Sequence, residues 1–281
     1  MPRSSGLHER PPGLYSRIVT RVEDRSELAA KARLLRGLHA GPAMLVLPNA
    51  WDAASAKLFE AAGFPAIATT SGGVAMSLGF EDHENAPPDE MFAAALRITS
   101  AVSIPVTVDL EAGYGLSPEE FVKRAITCGA AGFNMEDTDH RAGGLVPAGK
   151  QAERIAAVKR ATVAAGVELV INARVDPLLQ RTGVVEEQLE EAVTRANLYL
   201  EAGADCVYPF GWYDEAVTRA LVQRIRGPIN VVAWRNPLSL AQLAEIGVRR
   251  VTFATGLFRD HLAALKETAE SIRTSAPTAT G

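Results

Sequence analysis

The segment PVTVDLEAGYG, residues 105–115, carries two carboxylates one residue apart, Asp109 and Glu111, where a β-forming run meets a glycine turn. Side chains i and i+2 of a strand share a face, so the two acids are expected side by side. Like charges so placed are unfavourable unless a cation, a proton or hydrogen-bond donors compensate. The pair therefore marks either a solvated strand end or the place of something positive. Glu136 and Asp137 close the run GFNMED, and Arg174 and Asp176 close INARVD. Oxygen ligands suit Mg2+, which binds through one or two carboxylates, waters and substrate; Mn2+ is the alternative ion. Arg174 offers a planar fork to a carboxylate or phosphonate. Ser71, Gly72 and Gly73, which follow another apolar run, offer backbone N–H groups to an anion. Each residue also has a structural reading. Asp137 and Asp139 suit helix caps or a solvated rim, and Arg174 can pair with Asp176 or Glu136.

The elements that must hold these residues recur as a phrase: a short apolar run, a polar turn, a helical pattern. Eight runs begin with MLVL (44–47), AIATT (66–70), PVTVD (105–109) and GFNME (132–136). They continue with ELVINAR (168–174), DCVYP (205–209), INVVA (229–233) and RVTFA (250–254). Helical patterns lie near 51–62, 88–102, 117–128, 151–165, 185–202, 214–225, 239–246 and 256–275. Glycines in AAGF, CGAAGF, EAGAD and EIGV stand where helices hand over to strands. SPEE at 117–120 reads as an N-cap serine, a proline in the first turn and acids beside the helix dipole. Eight βα units predict a TIM (β/α)8 barrel over 23–275 as one domain, with a doubly wound open sheet as the alternative. Active sites of such barrels lie at the C-terminal ends of the strands, where the charged residues above collect.

A net charge of −4 argues against nucleic acid or an anionic membrane as the main partner. No apolar run approaches the ~18 residues of a membrane helix. Two cysteines, Cys128 and Cys206, are too few for a disulfide framework, and a reduced, cytoplasmic setting is expected. Residues 1–22 read as a mobile arm and 276–281 as a flexible tail.

The segments SGGVAMSLGFED, DLEAGYG, NMED and NARVD, in that order, resemble the isocitrate lyase/phosphoenolpyruvate mutase superfamily over roughly residues 40–260. The resemblance implies a TIM-type barrel, often with its last helix exchanged within a homodimer or homotetramer. It also implies Mg2+-dependent chemistry on small 2-oxo or 2-hydroxy acids. By resemblance Asp109 is the main metal-side carboxylate, Glu111 and Glu136 hold metal-bound waters, and Asp82 helps to orient metal and substrate. Ser71, Gly72 and Gly73 match the loop that holds the substrate, and Arg174 matches the arginine at its anionic end. The second acid of the strand-three pattern is commonly Asp, so Glu111 is a longer version.

Two departures bear on the reaction. The lyases of the superfamily carry a Cys-containing segment after strand four, whereas EDTDHRAGGLVPAGKQ has no Cys. The Lys and Asn of the mutases are missing from the same loop. His140 and Arg141 are the candidates to act there, on a loop from Thr138 to Lys150 expected to close as a lid. The expected activity is C–C cleavage of a small oxo or hydroxy (di)carboxylic acid through a metal-stabilised enolate, of lyase, decarboxylase or hydrolase type. The alternatives are a phosphonate C–P enzyme and a barrel that binds a small acid without turnover.

Overall fold

The computed structural model describes residues 25–179 and 185–275. The expected N-terminal arm and C-terminal tail lie outside the described residues. The first barrel strand is split at Pro48 into β1 (Leu45–Leu47) and β2 (Asn49–Ala50), because proline has no N–H to give to the ladder. The Pro48 carbonyl still accepts from Ala68 N–H at 2.9 Å. Then follow β3 (Ile67–Thr69), β4 (Val106–Asp109), β5 (Gly132–Glu136), β6 (Val170–Val175), β7 (Cys206–Pro209), β8 (Asn230–Val232) and β9 (Arg250–Thr252). The pairings run β2-β3-β4-β5-β6-β7 and β1-β9-β8, all parallel. A parallel bridge from Val207 to Ile229 links β7 to the β8 side, and β1 runs into β2. The two arcs thus close into a (β/α)8 barrel, and the open-sheet alternative is excluded.

The expected helices appear as α2 (Ala53–Ala61), α4 (Pro88–Ala101), α5 (Pro118–Thr127), α6 (Ala148–Ala164), α7 (Val185–Glu201), α8 (Glu215–Arg224), α9 (Leu240–Ile246) and α10 (Gly256–Ser275). Ser117 Oγ accepts from Glu120 N–H, the cap read from SPEE. Two helices were not anticipated. In α1 (Arg25–Ala40), Leu28, Ala32, Leu35 and His39 are buried at spacings of three and four. Leu35 packs with Leu45, Leu47, Ala131 and Val170, which closes the N-terminal end of the barrel. The other is α3 (Ser71–Ser77), which begins in the presumed anion loop, with Thr70 as its N-cap.

Strand alternation sorts the side chains. Val106 and Val108 of β4, Phe133 and Met135 of β5, and Ile171 and Ala173 of β6 join the apolar layer beneath the helices. Phe133 meets Phe121 of α5 edge-on, with 4.9 Å between ring centroids. Asp109, Asn134 and Arg174 are left for the barrel mouth. The last helix behaves differently from the others: within α10 only Gly256 and Phe258 are buried, while Leu262, Leu265 and Ile272 are 42, 55 and 64 % exposed. No described helix is long and apolar enough to cross a membrane.

Candidate active site

A cavity of about 290 Å3 opens at the C-terminal ends of the strands. Its polar lining includes Ser71, Asp82, Asp109, Asn134 and Arg174. Among the described residues, six other than glycine have left-handed backbones: His83, Glu84, Glu111, Tyr114, Arg235 and Ala254. Glu111, Tyr114, Arg235 and Ala254 lie in loops that follow strands, and His83 and Glu84 in the loop between α3 and α4; such strain is characteristically stored at functional sites.

Asp109 ends β4 and faces the cavity. Its N–H donates to Thr69 Oγ1 at 2.8 Å, and its carboxylate accepts the Ser71 N–H at 3.3 Å. Burial raises its pKa, with Arg174 pulling the other way. Glu111 does not share that face. The strand stops at Asp109, and Glu111 has φ 50°, so the alternation that would have aligned the pair is broken. Its carboxylate instead accepts the Glu84 N–H and, at 3.0 Å, the Tyr114 hydroxyl. Burial pushes its pKa up to about 8. The glycines of GYG serve this turn: a Cβ on Gly113 would meet Arg154 Nη2 at 2.6 Å.

Glu136 and Arg174 are neighbours in register across β5 and β6. Glu136 ion-pairs with Arg174 and bonds His140 Nε2. Arg174 also donates from Nε to Asp176 Oδ1 at 2.7 Å and lies 4.1 Å over the Phe210 ring. Burial works against the charge on His140, but its bond to Glu136 prevails and raises its pKa. His140 and Arg141 line an adjoining cavity rather than the main one, and His83 lines both. The His83 and His140 rings lie 5.3 Å apart. No sequence signal had pointed to His83, since a histidine beside an acid in a loop is ordinary.

Within the anion loop, only Ser71 reaches the main cavity. Its N–H is given to Asp109, and the Gly73 N–H goes to Thr70 Oγ1. Gly72 is needed for close approach, because a Cβ there would meet Asp82 Oδ2 at 2.6 Å and Thr255 Oγ1 at 2.8 Å. Asp137, expected at a cap or rim, is fully buried behind the barrel wall. It accepts from Tyr199 Oη at 2.8 Å, Arg195 Nη1 at 3.1 Å and Asp176 N at 3.0 Å. Asp139 does cap its own loop, accepting the Arg141 and Ala142 N–H groups.

The presumed lid is a hydrogen-bonded hairpin: Thr138 bridges Leu145, and Asp139 N donates to Gly144 O at 2.9 Å. Its last residues belong to α6, which begins at Ala148. Neither cysteine replaces the missing lyase Cys. Both are buried, and burial pushes both thiols up to about 12.

The acid set fits a hard divalent cation. Asp82 and Asp109 line one cavity, and Asp82 Oδ1 is buried without a hydrogen-bond partner. Among the described residues no three His, Cys, Asp or Glu side chains form a metal cage by themselves. One or two carboxylates completed by waters and substrate is the usual Mg2+ arrangement.

A family model described as phosphoenolpyruvate phosphomutase matches residues 35–273. The chain belongs to this family, within the isocitrate lyase/phosphoenolpyruvate mutase superfamily. It is 30 % identical over 239 residues to the 2-methylisocitrate lyase of Bacillus subtilis (strain 168), covering 82 % of this chain and 72 % of the relative. It is 31 % identical over 195 residues to the chloroplastic carboxyvinyl-carboxyphosphonate phosphorylmutase of Arabidopsis thaliana, covering 66 % and 56 %. The crystal structure of a 2,3-dimethylmalate lyase superposes with a TM-score of 0.77 at 28 % identity, covering 89 % of this chain and 90 % of that one.

Proposed function

We propose that this chain is a Mg2+-dependent lyase that cleaves a C–C bond in a small 2-oxo or 2-hydroxy (di)carboxylic acid by way of an enolate. The observation that carries the reading is the convergence of Asp82, Asp109 and Arg174 on one cavity. Asp109 and Asp82 would hold Mg2+ (or Mn2+), with Glu111 and Glu136 toward its waters, and the ion would supply Lewis-acid polarisation of the substrate oxygen on which charge develops. Arg174 grips the anionic end of the substrate. Its guanidinium is oriented in advance by Asp176, Glu136 and Phe210, so little ordering remains to be done at binding. Ser71 holds the Asp109 carboxylate by its N–H, and Gly72 lets Asp82 approach. His140 and Arg141 serve proton transfer and anion contact from the adjoining cavity.

The test is a screen of C3–C6 oxo and hydroxy acids with Mg2+, together with oxalate as competitor, since its planar dicarboxylate mimics an enolate. Mg2+-dependent turnover inhibited by oxalate is expected; no turnover and no oxalate binding by calorimetry would defeat the reading. The Arabidopsis relative and the family description favour a second reading, a phosphonate C–P enzyme, recognised by phosphate release or isomerisation of phosphonopyruvate. The absence of the lyase Cys favours a third, a non-catalytic acid-binding barrel, recognised by tight oxalate binding without turnover of any acid.

The proposed setting is cytoplasmic and the proposed assembly a homodimer or homotetramer. The exposed leucines of α10 support exchange of that helix between subunits, and light scattering of the full chain tests it.

A further inference from the structure

Inside the barrel, below the cavity, lies a fully buried cation. Arg250 of β9 has no exposed surface and, among the described residues, forms no ion pair. Its Nη1 faces His39 Nε2 at 3.4 Å and its Nη2 donates to Asn134 Oδ1 at 3.4 Å. His39 Nδ1 lies 2.8 Å from the Leu35 carbonyl and must be the protonated nitrogen, which leaves Nε2 as acceptor for Arg250. A guanidinium has donors only and keeps its proton, so it fixes the direction of every bond around it.

That direction reaches the cavity through Asn134. In register, Asp109, Asn134 and Asn172 lie side by side across β4, β5 and β6. Asn134 Oδ1 accepts from Asn172 Nδ2 at 2.8 Å as well as from Arg250. With its oxygen turned to two donors, the amide presents its NH2 on the other side. Asn134 lines the cavity, and among the described residues no protein acceptor takes that NH2. We propose that Asn134 is a substrate-binding residue, donating from Nδ2 to a carbonyl or carboxylate oxygen of the bound acid, and that Arg250 is the positioning residue that keeps the donor turned to the cavity. A neutral donor beside Asp109 suits an oxygen that gains negative charge, where a second carboxylate would oppose it. The inference rests on the small-acid reading above.

Calorimetric titration of the full-length protein with oxalate in saturating Mg2+, paired with thermal melting, tests it. Asn134→Asp is expected to bind oxalate at least tenfold more weakly than wild type while melting at the same temperature or higher, because the new carboxylate meets Arg250. Asn134→Leu, which adds no charge, should also lose at least tenfold. Arg250→Met should lose several-fold and Arg250→Lys, which keeps a donor toward Asn134, should recover most of it. Both Asn134 variants binding within twofold of wild type would overturn the inference and leave the function reading standing. Wild-type protein that does not bind oxalate overturns both.

Discussion

Glu136 and Asp137 are consecutive residues with opposite situations. Asp137 points away from the barrel axis to Tyr199, Arg195 and the Asp176 N–H, and every contact is made within the protein. Glu136 points toward the mouth, where Asp82, Asp109 and Glu111 also gather, and Asp82 Oδ1 finds no donor. Burial raises the pKa of both residues, Asp137 to about 6. The difference lies in completeness. The outer network is closed and acts as a structural tie, whereas in the inner cluster Glu136 meets Arg174 and His140 but the acids outnumber these cationic partners.

The comparison breaks most visibly at Asp109. Asp109→Ala should lower kcat/KM at least ~1000-fold, roughly 4 kcal/mol of transition-state stabilisation. Its melting temperature should stay the same or rise, because a desolvated carboxylate is removed. Steady-state kinetics beside calorimetry checks both; a fold that collapses would mean that Asp109 is a structural tie like Asp137.

Asp137→Ala should show the reverse. Removing one partner of a buried pair costs ~3–5 kcal/mol. Arg195 keeps Glu191 at 2.8 Å, so the lower end, ~3 kcal/mol, is expected. For a chain of this size that is a fall in Tm of about 6–12 °C. Activity per folded molecule, measured below the transition, should be little changed.

The inner cluster should also reveal itself through pH. Glu111 ionises near 4.5 when unfolded, but burial holds its folded pKa at about 8. Between these values the folded state keeps a proton that the unfolded state has lost. Stability of the metal-free protein should therefore be greatest at low pH on this account and decline as pH rises from 5 to 8, by at most ~1.4 kcal/mol per pH unit. Glu111→Gln should flatten that slope in melts across the range; an unchanged slope would assign it to another group.

The smallest effect is expected at the hairpin. Arg141 lines the adjoining cavity and not the main one, so Arg141→Ala should lower kcat/KM about tenfold, ~1.4 kcal/mol, with Tm unaffected. Kinetics with the true substrate decides it, and a silent variant leaves the hairpin a connector only.

Much of this protein is written in local pattern. The alternation of apolar runs with capped helical stretches specified the barrel, because each βα unit carries its own periodicity and its own start and stop signals. The acids and arginine of the mouth were legible for the same reason, since they stand at strand ends. α1 was legible in principle, from Leu28, Ala32, Leu35 and His39, yet it precedes the first strand and so falls outside the repeating phrase. What only the tertiary structure decided is how neighbouring residues part company. Asp109 and Glu111 diverge because a left-handed turn begins after β4, and Glu136 and Asp137 because one faces the barrel mouth and the other the helix layer. Arg250 reads in sequence as a charge at a strand start; closure of the barrel around it makes it a buried cation aimed at Asn134. Such directions depend on which donors arrive from distant strands, and no local spacing encodes that.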